Sequence, residues 1–267
     1  LNAPNGPRAA PFANATHLVL IPSYNSGDQV LHTVRAARAQ WSPVWVVVDG
    51  STDASPAALA ALAQEDPGVK LWILPVNSGK GAAVLHGLRQ AQAAGFTHAL
   101  TMDADGQHPA ELIPQFMHAS HARPETMVLG RPVFDASAPL LRVRGRRVSN
   151  AWTHLETLGA GIGDSLYGFR VYPVAELIAV MNQQTWMRRF DFDTEAVVRL
   201  AWRGVKPINL PAPVKYLSAE QGGVSHFRYG RDNLLLSWMH ARLMLEFMLR
   251  LPVLLLRRWR RLPPFQA

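Results

Sequence analysis

The chain has 267 residues, a formal charge of +8 and no cysteine, which excludes a disulfide framework and any thiolate metal site. Its 48% apolar and 17% charged residues exclude global disorder and suffice for one large domain. The positive charge favours anionic partners, but it is unevenly placed: from His226 to the end there are eight Arg, no Lys and two acids, among Leu, Met and Trp. A nucleic-acid binder spreads its basic residues over the globular body, so no nucleic-acid partner is expected.

The first 16 residues lack the apolar run of a secretory signal and read as a flexible leader. Then "HLVLIPSYN" is a β-branched and Leu-rich strand ending in turn residues, and "DQVLHTVRAARAQ" places Val30, Leu31, Val34 and Ala37 on one helical face. "WVVVDGSTD" is a second strand. "SPAALAALAQE" opens a helix, with Ser55 expected as its cap and Pro56 at its first position. "KLWILP" is a third strand, and "GKGAAVLHGLRQAQAAG" a helix closed by Gly95. "THALTMDAD" is a fourth strand and "PAELIPQFMHA" a short helix. Alternation at this spacing predicts βαβ units, hence a mostly parallel, doubly wound sheet with helices on both faces.

The middle of the chain is less regular. "TMVLGRPV" reads as a strand, "RVRGRRVSNAWTHLETLGAG" as a helix with mixed faces, and "SLYGFRVYP" as a strand or turn. "VAELIAVMNQQ" and "DTEAVVRLAWRG" are helical, the latter ended by Gly204, and "VKPINLPAPVKYL" is extended. The tail, residues 232–267, predicts one or two basic amphipathic helices broken near Pro252. An apolar face studded with Arg suits an anionic membrane surface; packing on the domain or in a homo-oligomer is the alternative. No stretch reaches about 18 uninterrupted apolar residues, so no spanning helix is expected.

In open α/β sheets ligands bind beyond the carboxyl ends of the strands. Four strand ends deliver polar groups there: Ser23–Tyr24–Asn25, Asp49–Ser51–Asp53, Asn77–Ser78–Gly79–Lys80, and Asp103–Asp105. Asp103 and Asp105, two apart on an extended segment, point to one side. They can share a hard divalent cation or simply form a turn. Asp49 can accept from a ribose hydroxyl or a base N–H, or close an Asx turn. Lys80 can meet a phosphate at a helix N-terminus, although neither a Walker loop nor a dinucleotide fingerprint is present. Asp164, Gly168 and Arg170 have plausible turn or ion-pair readings. Asp191, Asp193 and Glu195 crowd a helix start, where one or two serve as caps and a third is left as a general base. "GGVSHFRYGRD" gathers His226, Arg228 and Arg231.

Taken in order, "IPSYNSGDQV", "VVVDGSTD", "NSGKGAAVLHGL", "TMDADGQH", "DSLYGFRVYP", "FDFDTEAVVRLAWRGV" and "GGVSHFRYGRD" resemble the family 2 glycosyltransferases of GT-A fold. They are similar to dolichyl- or polyprenyl-phosphate sugar synthases, and also to bacterial enzymes of lipid and aryl-polyene pathways. The resemblance implies a GT-A catalytic domain at 17–231 and a nucleotide pocket lined by Pro22, Tyr24 and Asn25, with Asp49 and Ser51 at the base or ribose. It implies Mg²⁺ or Mn²⁺ on Asp103 and Asp105, with His226 as a further ligand, bridging to a UDP- or GDP-linked sugar. Lys80, Arg228 and Arg231 would steady phosphates, and Asp193 or Glu195 would be the catalytic base. The implied reaction is a single inverting displacement onto a lipid-linked acceptor, a polyprenyl phosphate first and a glycerolipid or aryl-polyene lipid second. The implied location is cytoplasmic, peripheral on the inner face of a bacterial cell membrane. The Q-x-x-R-W motif of processive synthases is absent, so polymer synthesis is not expected. A non-catalytic, membrane-docking relative is the remaining alternative, against which the intact Asp103/Asp105 pair argues.

Overall fold

The computed structural model describes residues 12–13, 15–134, 140–214 and 229–259. Its elements, in order, are β1 Phe12–Ala13, β2 His17–Ser23, α1 Gln29–Arg38, β3 Trp41–Ser42, β4 Val44–Asp49, α2 Ser55–Glu65, β5 Val69–Leu74, α3 Lys80–Ala93 and β6 His98–Thr101. A single 3₁₀ turn, Ala110–Leu112, leads into α4 Ile113–Ala122. Then follow β7 Thr126–Val133, α5 Leu140–Glu156, β8 Arg170–Pro173, α6 Val174–Asn182, α7 Phe192–Arg203, β9 Lys206–Pro213 and α8 Tyr229–Trp259.

Seven described strands form one sheet in the order β5–β4–β2–β6–β8–β7–β9. β8 runs antiparallel to both β6 and β7, and the other pairings in this sheet are parallel. The period-2 alternation of the strands explains the two layers. Val19, Ile21, Val46 and Val48 face α1, α2 and α4 through Val34, Leu59 and Phe116. Leu18, Leu20 and Val47 face the other way, onto Val84 and Leu88 of α3, Leu177 of α6 and Phe192 and Val197 of α7. Both faces are covered, which is why these strands read as near-continuous apolar runs. A third cluster joins Val198 and Trp202 of α7 to Met239, Leu243 and Phe247 of α8.

Two local expectations, the Ser55 cap and the break near Pro252, are corrected. Ser55 is not the cap of α2 but its first residue; it donates both its N–H (3.2 Å) and its hydroxyl (2.6 Å) to Asp53 Oδ1, so Asp53 closes that turn. Phe12–Ala13 pair in parallel with Trp41–Ser42, while residues 1–11 of the expected leader lie outside the described residues. The described part of the tail belongs to one helix of 31 residues, Tyr229–Trp259, that continues through Pro252. A proline forfeits a single intrahelical donor, and the inner face of α8 is anchored on α7 on both sides of it, by Phe247 before it and Leu254 after it. None of the helices described is long and apolar enough to cross a membrane.

Candidate active site

β2, β4, β5 and β6 are parallel, so their carboxyl ends open onto one edge, and the four polar clusters meet there. Asn25 takes a left-handed conformation, φ 44°. Its N–H donates to Ser51 Oγ at 2.9 Å, and its Oδ1 accepts from Thr52 N at 2.8 Å. Gly27 N donates to Asp53 Oδ2 at 2.9 Å. These bonds lock the loop after β2 to the loop after β4. Tyr24 stands at the surface beside them, while Pro22 is buried inside β2, in register with Val47.

Asp49 ends β4 and is buried. Its two oxygens accept from Ser78 N (2.9 Å) and Gly79 N (2.6 Å), so in this structure it secures the loop that leads into α3. Gly79 holds φ 102°, and any Cβ there would collide with Arg188 O, so only glycine lets the chain enter α3 at this angle.

That entry aims Lys80 inward. Its Nζ lies 2.6 Å from Asp103 Oδ1 at the end of β6 and 2.6 Å from Asp193 Oδ2 at the start of α7. Burial opposes the ammonium, but the two carboxylates outweigh it and hold its pKa above the ordinary lysine value. Gly168 makes room for the cluster: a Cβ there would sit 2.8 Å from Asp103 Oδ2 and 2.9 Å from Lys80 Nζ. His108 accepts from Asp103 N through Nδ1 (3.0 Å), and burial pushes its pKa down to about 4. Arg170, fully buried, donates to Asp193 O, Asp164 O and Tyr172 Oη, which ties β8 to the first turn of α7.

The two acids expected as alternatives for the base separate. Asp193, 7% exposed, faces Lys80, and its Oδ1 has no hydrogen-bond partner among the described residues. Glu195 lies two residues on and therefore on another side of α7. It is fully buried, accepting from Arg199 Nε at 2.7 Å and from Arg242 of α8 at 3.1 Å. Enclosed by two guanidinium groups, Glu195 stands in this structure as a buried ion-pair partner, and Asp193 is the acid that faces Lys80. Asp191 is a turn acceptor for Met187 N and Arg189 N.

Asp105 is half-buried, and its Oδ1 accepts from Gln107 N at 3.0 Å. Burial, then the charge of Asp103, pushes its carboxyl up to about 6. Two crowded carboxylates are hard oxygen donors, and a divalent cation relieves their repulsion, so this donor set fits Mg²⁺ or Mn²⁺. Among the described residues no group of three or more His, Asp or Glu is arranged for a metal. His226 and Arg228 lie outside the described residues, as does the side chain of Arg231.

Sequence reading missed the Lys80 bridge and the roles of His108 and Arg170. The three partners of that bridge come from elements separated by 23 to 113 positions in the chain. Only the lone Lys at a strand-to-helix turn hinted at it.

The model of the family described as "Glycosyl transferase family 2" matches residues 18–175. The undecaprenyl-phosphate mannosyltransferase of Micrococcus luteus is 26% identical over 210 residues, covering 77% of this chain and 85% of that protein. The polyprenol monophosphomannose synthase of Mycolicibacterium smegmatis is 30% identical over 161 residues, covering 58% and 60%. Among solved structures, glucosyl-3-phosphoglycerate synthase from Mycobacterium tuberculosis, in complex with Mn²⁺, UDP-glucose and phosphoglyceric acid, superposes with a TM-score of 0.59. That match has 16% identity and covers 87% of this chain and 79% of the other. The likeness establishes a GT-A-like α/β fold.

Proposed function

The chain belongs to glycosyl transferase family 2, and from that premise we propose that it moves a sugar from a nucleoside-diphosphate donor to a polyprenyl phosphate at a membrane surface. The observation that supports it most is the Asp103–Lys80–Asp193 cluster beside Asp105, set at the edge where four parallel strands end. The curated relatives, named for transfer to undecaprenyl phosphate or for polyprenol monophosphomannose synthesis, support the acceptor class.

In this reading Tyr24, Asn25 and Ser51 flank the nucleoside, and Asp49 holds the 78–79 amides in place behind it. Asp103 and Asp105 would hold Mg²⁺ or Mn²⁺, which when bound offsets negative charge on the departing diphosphate. Lys80 supplies a fixed positive charge close by. An acceptor phosphate oxygen attacks the anomeric carbon with inversion; the bond from that carbon to the diphosphate breaks, and the nucleoside diphosphate leaves with the electron pair. A phosphate monoester has a second pKa of about 6, so near neutrality the nucleophile is already ionised. Asp193 then serves chiefly to position Lys80. A hydroxyl acceptor, as on a glycerolipid, would instead require Asp193 to take a proton.

The outer face of α8 suits the membrane: Leu234, Trp238, Leu245, Met248 and Leu249 are exposed on the side opposite the one packed on α7. A thermal-shift panel of UDP, GDP and their common sugar conjugates, with and without Mn²⁺, tests the donor half. A Mn²⁺-dependent rise in melting temperature with one nucleotide, lost in Asp105→Ala, is expected. No shift with any nucleotide would remove the donor site.

A further inference from the structure

The edge strand β5, the outer side of α3 and the loop 183–191 between α6 and α7 border a pocket of about 330 Å³. Leu74 and Leu85 give it an apolar wall, and Ser78, His86, Arg89 and Arg188 a polar one. Arg89 lies nine residues after Lys80 on α3. That is about 13 Å along the helix and two and a half turns round it, so Arg89 leaves α3 on the side away from the Lys80 cluster.

The pocket is positive and its charge is not answered. None of the residues lining it is acidic. Arg188 is fixed by backbone oxygens: Nη2 donates to Met181 O (3.1 Å) and Gln184 O (3.0 Å), and Nη1 to Trp186 O (3.1 Å). Arg89 Nη2 donates to Asn182 Oδ1 at 2.7 Å, again a neutral partner. The two acids whose charge reaches Arg188 are engaged elsewhere: Asp191 with the amides of Met187 and Arg189, and Glu195 with Arg199 and Arg242. Burial, then the charge of Arg89, hold the Arg188 pKa below the ordinary arginine value. His86 Nε2 is buried with no hydrogen-bond partner among the described residues, and an unmet buried polar group is costly. Two guanidinium groups held in place by neutral partners, beside an unpartnered imidazole, form a donor set suited to a phosphate group.

We propose that this pocket is a second binding site, which takes the phosphate group of a small phosphorylated molecule and controls the loop that carries Lys80. The inference goes beyond the transfer reaction proposed above and does not rest on it. The phosphate bridges Arg89 and Arg188, His86 turns its free ring nitrogen to it, and the organic remainder lies on Leu74 and Leu85. The link to Lys80 is short. Ser78, in the pocket wall, donates its N–H to Asp49. Arg188 O accepts from Ala82 N at 3.1 Å and stands where a side chain on Gly79 would collide. Arg189, next in the chain, reaches Asn77 Oδ1 at 3.5 Å. A ligand that draws Arg188 and Ser78 together therefore tightens the 77–79 turn from both ends, and Lys80 follows it directly.

Isothermal titration of the full chain with inorganic phosphate and with glucose 1-phosphate, at constant ionic strength and without nucleotide, tests the site. Saturable binding of both is expected, tighter for the sugar phosphate, with a shift of the His86 ring nitrogens in ¹⁵N spectra. Arg89→Glu, at an exposed position, should weaken binding about tenfold or more at an unchanged melting temperature. Hydrogen exchange of the Ser78 and Gly79 amides should slow several-fold at saturation. Binding that survives Arg89→Glu with the His86 signals unmoved would place the phosphate elsewhere and overturn the site, as would no saturable binding of either probe. Equal affinity for the two probes would overturn the role of the apolar wall and leave free phosphate as the ligand. Binding at the pocket with unchanged exchange at residues 78 and 79 would overturn its link to Lys80.

Discussion

Lys80 is the residue on which the site turns, because it is the buried cation shared by acids from two different elements. Asp193→Asn keeps the shape but weakens that grip. With a phosphate acceptor, which brings no proton to remove, the loss in kcat should stay near tenfold; a hydroxyl acceptor would make it about 10²–10⁴-fold. Steady-state rates with each acceptor class therefore identify what Asp193 does. At the opposite end of the sheet His17 stacks between His98 and His121, with ring centroids 4.4 and 3.8 Å away, and its Nε2 meets Ser120 Oγ at 3.0 Å. Burial, then the neighbouring histidines, lower its pKa to about 3. The folded value lies below the unfolded 6.5, so the unfolded chain binds the extra proton. Stability is therefore fully present above about 6.5 and declines as pH falls toward 3, by at most about 1.4 kcal/mol per pH unit for this group. Melting temperatures from pH 7 to pH 4 should fall in the native protein and fall less steeply in His17→Leu. Such a stack of rings from β2, β6 and α4 leaves no trace in a sequence, since each histidine taken alone is an ordinary strand or helix residue.

At the scale of elements, α7 is the hub: its first turn holds Asp193 at the site, and its next turns bind α8 through Glu195–Arg242 and Arg199–Glu246. Removing one partner of a buried pair leaves the other charge stranded, typically at about 3–5 kcal/mol. Glu195→Ala should therefore lower stability by about that amount, measured by urea unfolding, whereas Asp193→Asn should not. Equal destabilisation by both would contradict the separation of their roles. Truncating α8 is a poor test of membrane binding, because Met239, Leu243 and Phe247 are part of the packed core. The outer-face substitutions Trp238→Glu with Leu249→Glu leave that packing intact and should abolish co-sedimentation with anionic vesicles. The elements themselves were largely legible: β-branched runs, helical periodicity and glycine stops such as Gly204, φ 95°, act locally. The side of α7 to which each of its acids turns was not, because it depends on α8, some 40 residues away.

For the whole molecule, βα alternation gave the mostly parallel sheet, and the clusters at strand ends gave the edge where the site lies. What alternation does not encode is the reversed β8 between β6 and β7, since a short apolar strand carries no mark of direction. That reversal brings Gly168 and Arg170 to the site edge. Nor did composition disclose that α8 is apolar on two opposite sides, one turned to α7 and one to the outside. In the proposed function, a soluble donor and a lipid-linked phosphate meet at the Lys80 edge. The most direct measurement is to incubate the protein with polyprenyl phosphate in anionic vesicles, Mn²⁺ and each UDP- or GDP-sugar in turn, and to read the lipid by mass spectrometry. One donor should yield polyprenyl phosphate heavier by a single sugar residue, with no product from Asp105→Ala. Donor bound and hydrolysed, or passed to a hydroxyl acceptor, with polyprenyl phosphate left unchanged would contradict the account.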